Sequence, residues 1–141
     1  MIIRDFQELR VFQLARESAG LIFAATRRFP AEERFSLTDQ IRKSSRSVGA
    51  NIAEAWRKRR YPSAFVSKLS DSDAESAETQ AWLLFALDCG YVTRKYFDEM
   101  NGRYHHICAQ LTLMMDHPEK WTAQMSRSRK ALDTERIAER D

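Results

Sequence analysis

"QIRKSSRSVGANIAEAWRKRR", residues Gln40 to Arg60, decides how the rest of the chain is read. Ile41, Val48, Ile52, Ala55 and Trp56 recur at steps of three and four, with Leu37 ahead of them and Ser44 or Ser45 filling the gap. That is the stripe of an amphipathic helix with one buried side. Ser36 stands at its start as an N-cap, with Asp39 serving the first turn. Tyr61-Pro62 ends it near Arg60, because proline disfavours helix in the residue before it.

The same stretch is strongly basic. From Arg42 to Arg60, Arg42, Lys43, Arg46, Arg57, Lys58, Arg59 and Arg60 stand against one acid, Glu54. Arg42 and Arg46, four apart, share an outward row. Arg57 to Arg60 gather at the helix's C-terminal end, where cations favour the macrodipole by about a few tenths of a kcal/mol each. The next helix is the reverse, with Asp71, Asp73, Glu75, Glu78 and Asp88 against Lys68. Two readings follow: the two helices pair within the bundle or between subunits, or the basic rim meets an external anion. Asn51 is the odd polar residue beside Ile52. It either fixes register or assembly, as buried amides do in coiled coils, or lies half-exposed. Glu54 and Lys58 are spaced for an i, i+4 pair.

Three further helices surround this one. The first runs from Phe6 to Arg28, with Val11, Ala15, Ser18, Ile22, Ala25 and Phe29 on one face and Pro30 beyond it. The third runs from Ser63 to Cys89, with Gly90 as its C′ residue. Its expected inward face is Val66, Leu69, Asp73, Ala77, Ala81, Leu84 and Leu87: small or polar first, apolar later. Small residues there either let backbones approach closely or mark a less buried face. Thr93 caps the fourth, which turns Tyr96, Met100, Tyr104, Ile107, Leu111 and Met114 inward. Short links between long helices imply an all-α, up-down-up-down four-helix bundle over residues 1–116. Residues 117–141 form a polar tail, in which Trp121 docks and the remainder is a frayed helix or disordered.

Length and composition bound the function. At 141 residues the chain is one domain with a real core, and its net charge of +3 is mild. No leader-like or membrane-length apolar run is present, and Cys89 and Cys108 lack metal-ligand spacing. A cytoplasmic protein with free thiols is expected; the two cysteines lie on neighbouring helices close enough to approach, with burial the favoured fate. No nucleophile elbow, P-loop or dinucleotide turn occurs. His105 and His106 diverge by about 100° on a helix, and no Glu-x-x-His motif exists. We therefore expect no enzyme, no metal, no cofactor, no small-molecule substrate and no membrane partner. Trp56, Tyr61, Phe65 and Trp82 are weighed as base-stacking platforms, with core the favoured reading for Trp82 and both readings open for Trp56 and Tyr61.

Particular phrases carry a resemblance. They include Leu9-Arg10-Val11-Phe12-Gln13, Phe29-Pro30, Glu33-Arg34-Phe35, Gln40-Ile41-Arg42 and Asn51-Ile52-Ala53-Glu54, with a later echo in Leu87-Asp88-Cys89-Gly90-Tyr91. Over Phe6 to Met115 the chain resembles the four-helix bundle proteins encoded in intervening sequences of bacterial 23S rRNA genes, also labelled S23 ribosomal proteins. The resemblance implies a left-handed up-down bundle assembling as a homopentameric ring. A related branch serves diversity-generating retroelements and contacts nucleic acid and a reverse transcriptase. Most members have no established biochemical role. This chain departs from the pattern at Ala55, where the family usually has glycine, and in the polar first half of helix three.

Two functions are carried forward. One is a non-enzymatic oligomeric scaffold presenting a surface to a protein or ribonucleoprotein, with Asn51, Glu54 and Trp56 as assembly or register residues. The other is an RNA or DNA binder using Arg42, Arg46, Arg57, Lys58, Arg59, Arg60 and Tyr61.

Overall fold

The computed structural model describes residues 2–122 and 136–138. Among these the chain is all-helical, with four long helices and no strand. We label them α1 (Arg10–Thr26), α2 (Leu37–Arg57), α3 (Pro62–Asp88) and α4 (Arg94–Asp116).

The first helix is shorter than its apolar pattern suggests. Phe6–Glu8 forms a separate 3-10 turn capped by Asp5, whose carboxylate accepts from the Gln7 amide at 2.9 Å. Leu9 is extended and buries its side chain in the core, which breaks the helix ahead of Arg10. Ser36 sits at the start of α2 but does not cap it. Its hydroxyl donates to Glu33 Oε1 at 2.6 Å, and Asp39 pairs with Lys43 at 3.1 Å. Thr93 does cap α4, accepting from the Tyr96 amide at 3.1 Å. α3 ends in a full Schellman motif. Gly90 takes φ +76°, its N–H donates to Leu87 O, and the Tyr91 N–H donates to Ala86 O. Any side chain at Gly90 would be strained there.

Late positions of each helix meet early positions of the next. Thr26 Oγ1 accepts from Arg42 Nε at 2.8 Å, and Gln80 Nε2 donates to Asn101 Oδ1 at 2.9 Å. α1 and α4 close the set, with Arg103 paired to Glu17 at 3.3 Å. The core runs through all four helices, from Val11, Ile22, Ile41 and Ile52 to Leu69, Leu83, Tyr104 and Leu111.

The buried face of α3 differs from the expected one. Phe65, Leu69, Ser72, Ser76, Thr79, Leu83 and Ala86 point inward, while Ala77, Ala81 and Leu84 are exposed and Asp73 and Leu87 are only half-buried. Close approach of α2 and α3 is the reason. The Ser72 hydroxyl crosses to Val48 O at 2.8 Å, and Thr79 Oγ1 donates to Ser44 Oγ at 2.8 Å. Small hydroxyls bury cheaply when they bond to a neighbouring helix or to their own preceding turn. Both Ser44 and Ser45 are buried in α2 on the same terms, each donating to a carbonyl three residues back.

The cysteines lie apart. Cys89 is exposed at the end of α3, whereas Cys108 is half-buried beside Asp73, about 24 Å back along that helix by its rise per residue. The expected approach of the two is corrected, as is burial of Cys89. Burial first, then the Asp73 carboxylate, pushes the Cys108 thiol up to about 11.

Past α4, a helical turn carries Trp121 onto Trp56, their rings meeting edge to face at 6.2 Å. The expectation of a frayed or disordered tail falls mainly on residues 123–135 and 139–141, which lie outside the described residues.

Candidate nucleic-acid interface

The basic residues singled out from the sequence divide by what they touch. Arg42 is half-buried, bonded to Thr26, with its guanidinium 4.6 Å from the centre of the Phe23 ring. Arg46 lies 5.6 Å from the same ring and is exposed. Arg59 sits over Trp56, its guanidinium carbon 3.3 Å from the ring centre, and its Nε donates to Trp56 O at 2.7 Å. Burial, and then the neighbouring Arg57 charge, pushes the Arg59 guanidinium below its ordinary value, yet an arginine stays protonated in proteins. Arg59 therefore belongs to the structure of the helix end. Arg57, Lys58 and Arg60 are exposed, and none of them pairs with a carboxylate among the described residues.

These three cations stand where α2 ends and α3 begins, a junction dictated by Pro62. Proline occupies the first turn of α3 and holds Tyr61 extended at φ −117°, ψ 99°. A cleft of about 450 Å³ opens there, lined by Arg57, Arg59, Arg60, Tyr61 and Trp56 from this junction and by Arg4, Asp5 and Phe6 from the N-terminal segment. Tyr61 is 63% exposed and makes no side-chain hydrogen bond among the described residues. Of the four aromatics weighed as stacking platforms, it alone presents a ring to solvent in this region. Trp56 and Phe65 are core, and Trp82 is half-buried with its indole N–H enclosed and without a partner among the described residues.

The assembly residues occupy different settings. Asn51 is half-buried and donates to Ser47 O at 3.0 Å within its own helix. Glu54 pairs across the bundle with Lys68 at 2.8 Å rather than along the helix with Lys58. The Lys68 hydrogen bond and charge hold the Glu54 carboxyl below its usual range, and Glu54 in turn raises Lys68. Trp56 is buried under Arg59 and Trp121.

On α3, Asp71, Glu78 and Asp88 are exposed, and Asp73 and Glu75 are half-buried. Among the described residues only Asp71 pairs, with Lys68 at 3.7 Å, and Asp73 and Glu75 have no basic partner within 4.0 Å. Burial raises the Glu75 carboxyl, and the adjacent Glu78 and Asp71 raise it further. The basic end of α2 is thus not neutralised by α3 of the same chain.

No three His, Cys, Asp or Glu side chains converge as metal ligands among the described residues. No described helix is long and apolar enough to cross a membrane.

Comparison with known proteins adds a family and a neighbour. The description "23S rRNA-intervening sequence protein" covers a family that matches residues 7–113. Among solved structures, the chain is similar to a crystal structure from Bacteroides thetaiotaomicron VPI-5482, a protein of unknown function from the S23 ribosomal protein family. The two share 28% identity at a TM-score of 0.68, over 75% of this chain and 95% of that one. None of the curated proteins compared with the chain matches it.

Proposed function

The chain belongs to the 23S rRNA-intervening sequence protein family, and we propose that it works without catalysing a reaction, as a helical scaffold whose basic side holds RNA or DNA. One observation carries this reading: Arg57 and Arg60 line a cleft with Arg4 and an exposed tyrosine, and among the described residues neither is ion-paired, Asp5 being the one acid in the lining. Like charges concentrated in a concave site raise the local field and favour a polyanion. The scaffold is an up-down-up-down, left-handed bundle over residues 1–116, with 117–141 as a tail. Its handedness is supported by buried positions that alternate steps of four and three in α3 and α4, since a seven-residue repeat winds helices left-handed. Two free thiols support a reducing, cytoplasmic setting.

The scaffold forms a homo-oligomer, a pentamer on the family resemblance. Leu84 and Phe85, 49% and 54% exposed on α3, support self-association. The unneutralised acids of the same helix could meet another copy's arginines. Assembly and nucleic-acid binding are separable by native mass spectrometry of the wild type and Phe85→Glu, which we expect to dissociate the oligomer.

The nucleic-acid reading is tested by fluorescence anisotropy with labelled RNA and DNA across a salt series. Log affinity should fall with log salt at about −0.7 to −0.9 per phosphate contacted. Arg57→Ala/Arg60→Ala should flatten that slope by roughly two such increments; Arg59 is left in place because Trp56 needs it. No binding at low salt would overturn the reading and leave the basic end as an assembly surface.

A further inference from the structure

We infer that the ligand of the basic side is a single strand, laid along a track on the α1–α2 face that ends in the Tyr61 cleft. This rests on the nucleic-acid reading above and extends it beyond the helix end to Arg4 of the N-terminal segment, Arg16 of α1 and Arg27 at the end of α1.

The track is assembled from three features that share residues. At its far end, Arg27, Arg42 and Arg46 converge on one partly exposed ring, Phe23, at 5.3, 4.6 and 5.6 Å from its centre. None of the three pairs with a described carboxylate. Arg46 also lines the next feature, a shallow groove of about 350 Å³ between α1 and α2. Ala19, Ala50 and Ala53 line it with Phe12, whose ring packs over the buried Gly49, and Arg16 stands on its α1 side. Phe6, at the other end of this groove, lines the Tyr61 cleft as well, where Arg4 joins Arg57 and Arg60. Cationic side chains and aromatic rings therefore alternate along one face.

That alternation fits a flexible strand better than a duplex. Single-strand binders combine a positive groove that follows the backbone with rings on which unpaired bases stack, and stacking needs a base out of its pair. The short side chains of Ala19, Ala50 and Ala53 leave room for a strand to lie close to the helices. Arg42 and Arg57 are separated by about 22 Å along α2, the length of at most about six phosphates at the 3.4 Å spacing of a stacked strand. Acids are few beside the track. Asp5 lines the cleft and accepts from Gln7, and Glu17, bordering a neighbouring hollow, is engaged by Arg103.

The test compares a labelled 15-nucleotide single strand with its 15-base-pair duplex at matched salt, using the full chain. The single strand should bind at least about tenfold more tightly, and Tyr61→Ala should cost it about tenfold while leaving the duplex unchanged. Arg16→Gln and Arg27→Gln, both exposed positions, should each lower the single-strand salt slope by about 0.7. Equal or tighter duplex binding, with Tyr61→Ala without effect, would overturn the single-strand inference and leave the nucleic-acid reading standing. A slope insensitive to Arg16 and Arg27 but sensitive to Arg57 and Arg60 would overturn the track. Binding of neither ligand would overturn the inference together with the reading beneath it.

Discussion

α2 presents two sides built from similar ingredients and used differently. Toward α3 it offers Ser44, Val48, Ile52 and Ala55, all buried, with polar atoms answered by Ser72, Thr79 or a carbonyl of the same helix. Its acid on that flank, Glu54, has a lysine on the opposing helix. Toward α1 and the bundle end it offers Arg46, Arg57 and the adjoining Arg60, all exposed and without a described carboxylate partner. Matching along this seam matters because an unmatched buried polar group costs about 1–3 kcal/mol. Exposed cations are under no such constraint, so their arrangement is open to serve a ligand. The difference separates residues that make the bundle from residues that the bundle carries.

The largest expected effect lies on the α3 side. Leu69→Ala, at a fully buried position, should lower unfolding free energy by about 2–5 kcal/mol in urea denaturation. Thr79→Val keeps the shape but removes the donor to Ser44, and should cost about 1 kcal/mol. A neutral Thr79→Val would mean that the Thr79–Ser44 bond adds nothing to the seam beyond its packing.

Glu54→Gln should lower the melting temperature slightly, an effect that added salt weakens. Its pH signature follows from the two directions. The Glu54 carboxyl is depressed, so the stabilisation is present above its unfolded value and lost as pH falls through the folded one. Lys68 is raised, so its share is present below its unfolded value and lost as pH rises through the folded one. The difference between wild type and Glu54→Gln should therefore be greatest between about pH 5 and 10 and shrink outside that window. The smallest effect on stability belongs to the other side of α2. Arg57→Ala/Arg60→Ala should change unfolding free energy by about 0.5 kcal/mol or less, as surface substitutions do, while altering nucleic-acid binding. Marked destabilisation by that pair would erase the contrast.

Much of this was legible in the sequence, for physical reasons that vary by helix. The inward positions of α4 are large and apolar, and those of α2 keep Leu37, Ile41, Val48, Ile52 and Trp56 at helical spacing around small residues, so their periodicity is plain, with Phe97 replacing Tyr96 at the head of the α4 stripe. α3 misled because Ser72, Ser76 and Thr79 look like solvent residues, whereas Leu84 and Phe85 look like core. Hydropathy does not reveal that a hydroxyl can bond to its own helix and disappear into a seam. Ser36 misled in the opposite way: the residue suits a cap, but Glu33 captures its hydroxyl. At the candidate site, Arg57 to Arg60 are conspicuous as a run. Arg4, Arg16 and Arg27 are not, since they reach the basic side only through the packing of α1 on α2. One signal was available: Arg16 and Arg27 are eleven residues apart, close to three helical turns, and so share a face.

The central claim is that the arginine-bearing side of α2 is held ready for nucleic acid while the α3 side serves the fold. Hydrogen exchange with and without a saturating 15-nucleotide single strand tests it most directly. Slower exchange should appear around residues 4–8 and 57–64, with the outer face of α3 at 77–88 unchanged. Protection confined to 77–88, or none at saturation, would contradict the account.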